Sequence, residues 1–524
     1  MTISEPHRRP PVLRRPAGAG RARWHDRLPL WLFASGGGAA LMLIPAIHAG
    51  LTGAHAVGRP FLYGGILFGV LVVLVGLSLV TRAAVQGARG LLLSLLAIYL
   101  LLPMMLAAPL YEAVPDLGFA DAWFEMVSSL TTTGATVFDR PGRLPDSLHL
   151  WRALVGWYGG FVMWVAAIAV LAPQRLGGFE LMLTSVQVGR DVTLGRAAVA
   201  EYPNRRVWRF ARALAPVYGG LTLAIWLLLL IAGEDPLVAA CHAMSTLASS
   251  GISPLPSMQS SSADHWGEAV LLVGMVFALS RSTFAQDMPQ PVGRRWWQDP
   301  EMRMASALLV AAPAVIYLHH WIGLIDVGGA APDPWRSLWG AIFTTTSFLT
   351  TTGFISAEWE VARNWSGLTT PGLILIGLAM VGGGVATTAG GVKLLRVYVL
   401  YRHGQFEAGR LVHPRLVSSP GHRARRFRMD AAYLAWLSFM LFAIAFAGGM
   451  LALSALGQPF EAAMILTTAA LTNTGPLVVV ASTAPIPLGL LDTATQTVLA
   501  LAMVLGRLET LAIVALLNPD FWRA

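Results

Sequence analysis

Cysteine, lysine and charge are all scarce in this chain of 524 residues. Cys241 stands alone, which excludes a disulfide framework and any cysteine-based zinc centre. Charged residues make up 12% against 55% hydrophobic, where a water-soluble domain carries about 25% charge. With a mean hydropathy of +0.60, this balance argues against a soluble globular protein. Lysine occurs once, as Lys393, so arginine carries the net charge of +9. The arginines sit between apolar blocks rather than along one face, which follows the positive-inside rule and argues against a nucleic-acid partner.

Residues 1–27 hold seven arginines and several prolines without apolar periodicity, and read as a basic cytoplasmic tail. A cleaved signal peptide fits less well, because the basic region is long and the segment after it has spanning length. Blocks able to cross roughly 30 Å of hydrocarbon fall near 28–50, 61–81, 89–110, 150–172, 207–232, 266–285, 303–326, 371–399, 431–455 and 491–517. Ten spans put the arginine-rich connections on the side of the tail. Those connections contain Arg175, Arg190, Arg196, Arg205, Arg206, Arg209 and Arg212, then Arg294, Arg295 and Arg303, then Arg402, Arg410, Arg415, Arg423, Arg425, Arg426 and Arg428. Both termini are therefore expected in the cytoplasm.

Between pairs of spans lie four apolar stretches of about 12 residues, too short to cross. Each ends in small hydroxyl residues and a glycine: Ser-Ser-Leu-Thr-Thr-Thr-Gly134, Ser-Thr-Leu-Ala-Ser-Ser-Gly251, Ser-Phe-Leu-Thr-Thr-Thr-Gly353 and Ala-Ala-Leu-Thr-Asn-Thr-Gly475. The glycines are separated by 117, 102 and 122 residues, enough each time for a long helix down, a loop, a long helix up and a half-helix. One such sequence is an ordinary helix C-terminus. Four in register with the spans make a repeat, and the expected organisation is a tail (1–27), two leading helices (28–85) and units over 86–175, 200–290, 300–400 and 428–524.

A non-helical loop at membrane depth is tolerated only where protein buries it or water lines it, so four of them suggest one shared aqueous axis. Glycine allows dihedrals that turn consecutive carbonyls toward a pore, and the C-terminal end of a half-helix adds partial negative charge. Both attract a dehydrated cation.

With these loops, the run Gly382-Gly383-Gly384-Val-Ala-Thr387-Thr388-Ala-Gly390-Gly391-Val-Lys393-Leu-Leu-Arg396, and Gly506-Arg507-Leu-Glu509 near the end, the sequence resembles the Trk/Ktr superfamily of potassium transporters, and more closely its Trk-type bacterial membrane subunit. The resemblance covers nearly the whole chain. It implies an all-α polytopic protein of the bacterial inner membrane, with four pseudo-symmetric helix, pore-helix, helix repeats around one pore and two additional N-terminal helices. It also implies a homodimer served by a separate cytosolic nucleotide-binding regulatory subunit, and potassium as the transported ion with no cofactor in the chain. Carried over by position, Thr132, Thr133 and Gly134, Ser249, Ser250 and Gly251, Thr351, Thr352 and Gly353, and Asn473, Thr474 and Gly475 would form the selectivity filter. Glycine at 134 looks potassium-like. The second loop departs from the family's usual threonines, with Ser249-Ser250-Gly251-Ile252, and Ala135 follows the first glycine.

Gly382, Gly383, Gly384, Gly390 and Gly391, with Thr387 and Thr388, keep a helix from running straight through its span, and a loop there would occlude the pore below the filter; close helix packing through small residues is the competing reading. Arg507 stands in the last apolar segment, where a charge is costly and turns toward a protein or water interior. The resemblance makes it a barrier to cations; a structural arginine on neighbouring carbonyls is the alternative. Glu509 lies about 200° around the helix from it, which excludes a direct pair. Lys393 and Arg396 hold the loop or touch an anionic partner, with a snorkelling lysine as the ordinary alternative; the arginines of 402–428 offer a docking surface for the separate partner or for membrane lipid. Glu125 and Glu461 fall in the first and fourth pore helices, as filter anchors or satisfied structural carboxylates. His242, His319 and His320 have no ligand spacing for a metal.

Other classes lack their residues. There is no His-Glu-x-x-His, no Gly-x-Ser-x-Gly and no pair of intramembrane aspartates, and Lys393 follows Gly391-Val rather than completing a P-loop, so no enzyme is expected. Within transport, the potassium-binding subunit of a Kdp-type pump and a less selective sodium or ammonium transporter are the alternatives.

Overall fold

The computed structural model describes residues 28–80, 88–172, 203–279, 299–323, 333–412 and 422–509, apart from 369 and 483. Residues 1–27, Arg175, Arg190, Arg196, Arg294 and Arg295 of the first two basic connections, and Arg415 of the third lie outside them.

Long apolar sequence forms helices here because only a helix satisfies its own backbone in lipid. The leading pair is α1 (Leu30–Leu41) with α2 (Leu43–Leu51), then α3 (His55–Val80). The first unit is α4 (Ala88–Ala113), short α5 (Phe119–Leu130) and α6 (Asp146–Ala166), which ends in a π turn over Ala167–Leu171. The second is α7 (Pro203–Ile231), short α8 (Pro236–Ala248) and α9 (Asp264–Val276). The third is α10 (Pro300–Gly323), short α11 (Pro334–Leu349), a connecting α12 (Trp359–Ser366), α13 (Gly372–Val381) and α14 (Leu394–Val412). The fourth is α15 (His422–Ala455), short α16 (Phe460–Leu471), α17 (Leu477–Val480) and α18 (Thr493–Leu508). An Asp-Pro pair starts two of the short helices: Asp235 accepts from the Leu237 and Val238 amides and Asp333 from that of Trp335, with proline at the first helical position, where its missing N–H costs nothing.

Among the described residues seven helices are long and apolar enough to cross a membrane. The block at 371–399 is broken between Val381 and Leu394, as its glycine run leads one to expect. The block at 266–285 gives the helix Asp264–Val276 and then a 3-10 turn to Leu279, and 491–517 is helical over Thr493–Leu508; residues 280–285 and 510–517 of these blocks lie outside the described residues. All three blocks hold the second long element of a unit.

Burial grades from periphery to axis. The apolar window of α3 is 11% buried and faces outward, whereas that of α6 is 78% buried. Missing side chains allow this density: a Cβ at Gly159 of α6 would fall on the carbonyl of Leu130, and one at Gly506 of α18 on that of Leu471. Both carbonyls belong to the last residue of a short helix, so two units use the same close approach.

Candidate functional site

The four short helices end in one way. Thr132, Ser249, Thr351 and Asn473 take φ of 55°, 49°, 56° and 52°, and the next amides, of Thr133, Ser250, Thr352 and Thr474, reach back to Ser128, Ser245, Ser347 and Ala469 at 2.8 to 2.9 Å. This is a Schellman terminus whose left-handed position holds threonine, serine or asparagine in place of the customary glycine. A β-branched residue adopts that backbone only where its surroundings hold it. The glycine comes two residues later. Gly134, Gly251 and Gly353 have φ of 72°, 64° and 84°, while Gly475 lacks a positive φ and Pro476 after it leads directly into α17. The fourth loop therefore departs from the other three.

The loops close a ring in chain order. A Cβ at Gly134 would fall on the Ser250 carbonyl oxygen, one at Gly251 on that of Thr352, one at Gly353 would lie 2.8 Å from the Pro476 ring, and one at Gly475 would fall on the Ala135 amide. Closure is also polar, since the Gly475 amide donates to the Thr133 carbonyl at 2.6 Å and the Asn473 amide to the Thr133 hydroxyl at 3.0 Å. The hydroxyl and amide side chains of all four loops are buried. Four helix C-terminal ends thus converge on one small volume and carry partial negative charge into it.

The residue nine before each of the first three glycines holds the extended segment that leaves its loop, a regularity visible only once the loops are superposed in sequence. Glu125 accepts from the Val137 amide at 3.0 Å and from Arg152 at 2.6 Å, His242 shares a 2.9 Å hydrogen bond with the Ser253 hydroxyl, and the Thr344 hydroxyl accepts from the Ser356 amide at 3.3 Å. Leu466 occupies the fourth position, where the turn into α17 replaces the clamp. Glu268 of α9 supports the third segment, taking hydrogen bonds from the Ala357 amide (2.6 Å), the Ser356 hydroxyl (2.9 Å) and the Trp339 indole (2.5 Å). Glu461 is exposed and meets only the Ser482 hydroxyl. His319 and His320 bind the carbonyls of Ser366 and Trp365. Because Arg152 and Glu125 are both buried, Arg152→Met should lower stability by about 3 kcal/mol by leaving a carboxylate uncompensated. A thermal melt of detergent-purified protein checks this.

Beneath the ring, the chain between α13 and α14 forms a tight loop. Amides of Val392, Lys393 and Leu394 pair with carbonyls of Met380, Val381 and Gly383 at 2.9 to 3.0 Å, closing its neck. Gly382 and Gly391 have positive φ and pack backbone to backbone, where a Cβ at Gly391 would be 2.7 Å from the Gly382 Cα. The Gly384 amide bonds the Ala278 carbonyl and the Val385 amide the carboxylate of Glu301. At the tip, Thr387 bonds the Gly384 carbonyl, Thr388 the Leu247 carbonyl at 3.0 Å, and the Gly390 amide the Thr351 hydroxyl at 2.7 Å.

Arg507 is 3% exposed and donates from Nη1 to the Thr388 carbonyl at 2.5 Å, with the Tyr99 hydroxyl close by, while among the described residues its Nε and Nη2 have no partner within hydrogen-bond geometry. Lys393 is buried too, with Nζ turned back onto the Ala389 carbonyl, so it holds the loop rather than reaching for an interface. Glu509 pairs with Arg396 at 2.7 Å, tying the foot of α14 to the end of α18. Sequence spacing separates Glu509 from Arg507 and gives no sign of this cross-helix partner.

A family model described as Cation transport protein, TrkH, matches residues 99–521. The Trk system potassium uptake protein TrkH of Vibrio parahaemolyticus is 30% identical over 425 residues, which are 78% of this chain and 81% of that one. TrkH of Escherichia coli K12 is 30% identical over 79% of this chain and 82% of its own, and TrkG of the same organism 27% identical over 81% and 84%. The crystal structure of the potassium transporter TrkH from Vibrio parahaemolyticus superposes with a TM-score of 0.75 at 24% identity, covering 96% of this chain and all of that one; it has the same fold.

Proposed function

The chain belongs to the TrkH family of cation transport proteins, and on that premise we propose that it takes up potassium across the bacterial inner membrane through a gated, channel-like pore. The observation that carries this is the closed ring of four helix C-termini with a loop seated directly beneath it. Backbone carbonyls of Thr132, Thr133 and Gly134, Ser249, Ser250 and Gly251, Thr351, Thr352 and Gly353, and Asn473, Thr474 and Gly475 replace the ion's water. The loop from Gly382 to Lys393 is the gate, and Arg507 adds a positive charge below the filter. The work is transport, not bond chemistry. Membrane lipid surrounds the protein, and both termini face the cytoplasm, in keeping with the basic connections. Two copies assemble, and a cytosolic nucleotide-binding subunit acts on the gate, consistent with the "Trk system" named for the relatives.

Flux into liposomes holding the purified protein tests the reading. Potassium and rubidium should enter in preference to sodium and lithium. Equal sodium entry would overturn the filter, and absence of any cation flux in folded protein, with and without a bacterial lysate fraction supplying the regulatory subunit, would overturn the pore.

A further inference from the structure

Four equivalent residues, one per loop, occupy the left-handed position that ends each short helix, and their side chains do not have equivalent partners. The Ser249 hydroxyl shares its proton between the Ala248 carbonyl at 2.8 Å and the Thr388 hydroxyl at 3.0 Å. Thr351 accepts the Gly390 amide at 2.7 Å. Asn473 donates to the Met503 carbonyl of α18 at 3.0 Å, one turn ahead of Arg507. A Cβ at Gly390 would fall on the Thr472 carbonyl, so the loop backbone seats against the fourth helix end as well. Thr132 has the same backbone, is buried, and its hydroxyl has no hydrogen-bond partner among the described residues.

We propose that Ser249, Thr351 and Asn473 couple the filter ring to the gate through their side chains, and that Thr132 is the one uncoupled position. This rests on the gate reading of the loop from Gly382 to Lys393. When the loop withdraws, the Gly390 amide and the Thr388 hydroxyl leave together, so Thr351 loses the partner that holds it in a backbone it otherwise avoids and Ser249 keeps only its bond to Ala248. Gate position and filter geometry are then linked, and by reciprocity filter occupancy biases the gate. The asymmetry gives each loop a different weight: the second and third feel the loop directly, the fourth through α18, and the first only through Asn473, which bonds the Thr133 hydroxyl.

The test is a double-mutant cycle on potassium flux in liposomes, with Thr351→Val, Ser249→Ala and Thr132→Val each made alone and with Arg507→Ala. Thr351→Val should raise flux about fivefold, the effect of one lost buried hydrogen bond on a two-state population, and add little once Arg507→Ala has released the loop. Thr351→Ser keeps the hydroxyl and should restore parental flux. Whatever Thr132→Val does to the filter should multiply with Arg507→Ala, as expected of an independent site. If Thr351→Val and Ser249→Ala combine with Arg507→Ala as Thr132→Val does, the coupling is wrong and the gate reading stands. If Arg507→Ala leaves flux unchanged in folded protein, the gate reading falls and the coupling with it. Ser249→Ala removes the least volume and carries the same test should Thr351→Val not fold.

Discussion

Arg507→Ala raises potassium flux through the reconstituted protein at least about tenfold, the expected result if the guanidinium is a barrier on the ion path. The geometry argues for a barrier because, among the described residues, this buried cation donates to the Thr388 carbonyl, has the Tyr99 hydroxyl as a further polar neighbour, and has no carboxylate within ion-pair distance. A structural arginine in lipid would instead be saturated. A unit charge about 5 Å from a passing cation raises its energy by roughly 3 kcal/mol at an effective dielectric of about 20, which is more than a hundredfold in rate; water in the pathway reduces this. Arg507→Lys keeps the charge and should keep flux low. Removing the side chain strands no carboxylate, so the protein should fold, and its melting temperature is measured alongside. Unchanged flux in folded protein would return Arg507 to a structural role and, because Arg507 pins the loop at Thr388, take the gate reading with it.

Gly134→Ser lowers discrimination of potassium over sodium by about tenfold, or roughly 1.4 kcal/mol. At this position two constraints coincide. The backbone has φ of 72°, and a Cβ would fall on the Ser250 carbonyl oxygen, so the first and second loops must move apart and one carbonyl must turn. Gly367 separates strain from displacement, because its φ is 62° with nothing within 4 Å of a Cβ. Gly367→Ala should cost about 1 kcal/mol of stability and leave selectivity alone. Competition between potassium and sodium in the same vesicles reads both variants, and an unaltered ratio in Gly134→Ser would remove the first loop from the filter.

The chemistry of the site was partly legible and partly not, for reasons that differ by residue. Repetition exposed the four loops, since hydroxyl runs ending in glycine at matched distances from apolar blocks have no cause in a single helix cap. It pointed to the glycines as the unusual backbone positions, yet the left-handed turn that ends each helix falls two residues earlier, on Thr132, Ser249, Thr351 and Asn473. Propensity assigns that turn to glycine, and only neighbours in three dimensions reverse the preference. The clamps Glu125, His242 and Thr344 share a register but no chemistry, one being an acid, one an imidazole and one an alcohol, so no motif search joins them. Spacing along α18 correctly kept Glu509 from Arg507, but its partner Arg396 is 113 residues away in sequence.

The sequence by itself determined that this is a polytopic helical membrane protein carrying four repeated hydroxyl-glycine loops, because hydrophobicity and length dictate what lipid tolerates and because repeats survive in one dimension. Tertiary structure decided how the loops meet in a ring, that Gly475 does not copy the other three glycines, and which side chains reach the loop between α13 and α14. Those outcomes depend on contacts between segments a hundred or more residues apart, and nothing local in the chain encodes such contacts.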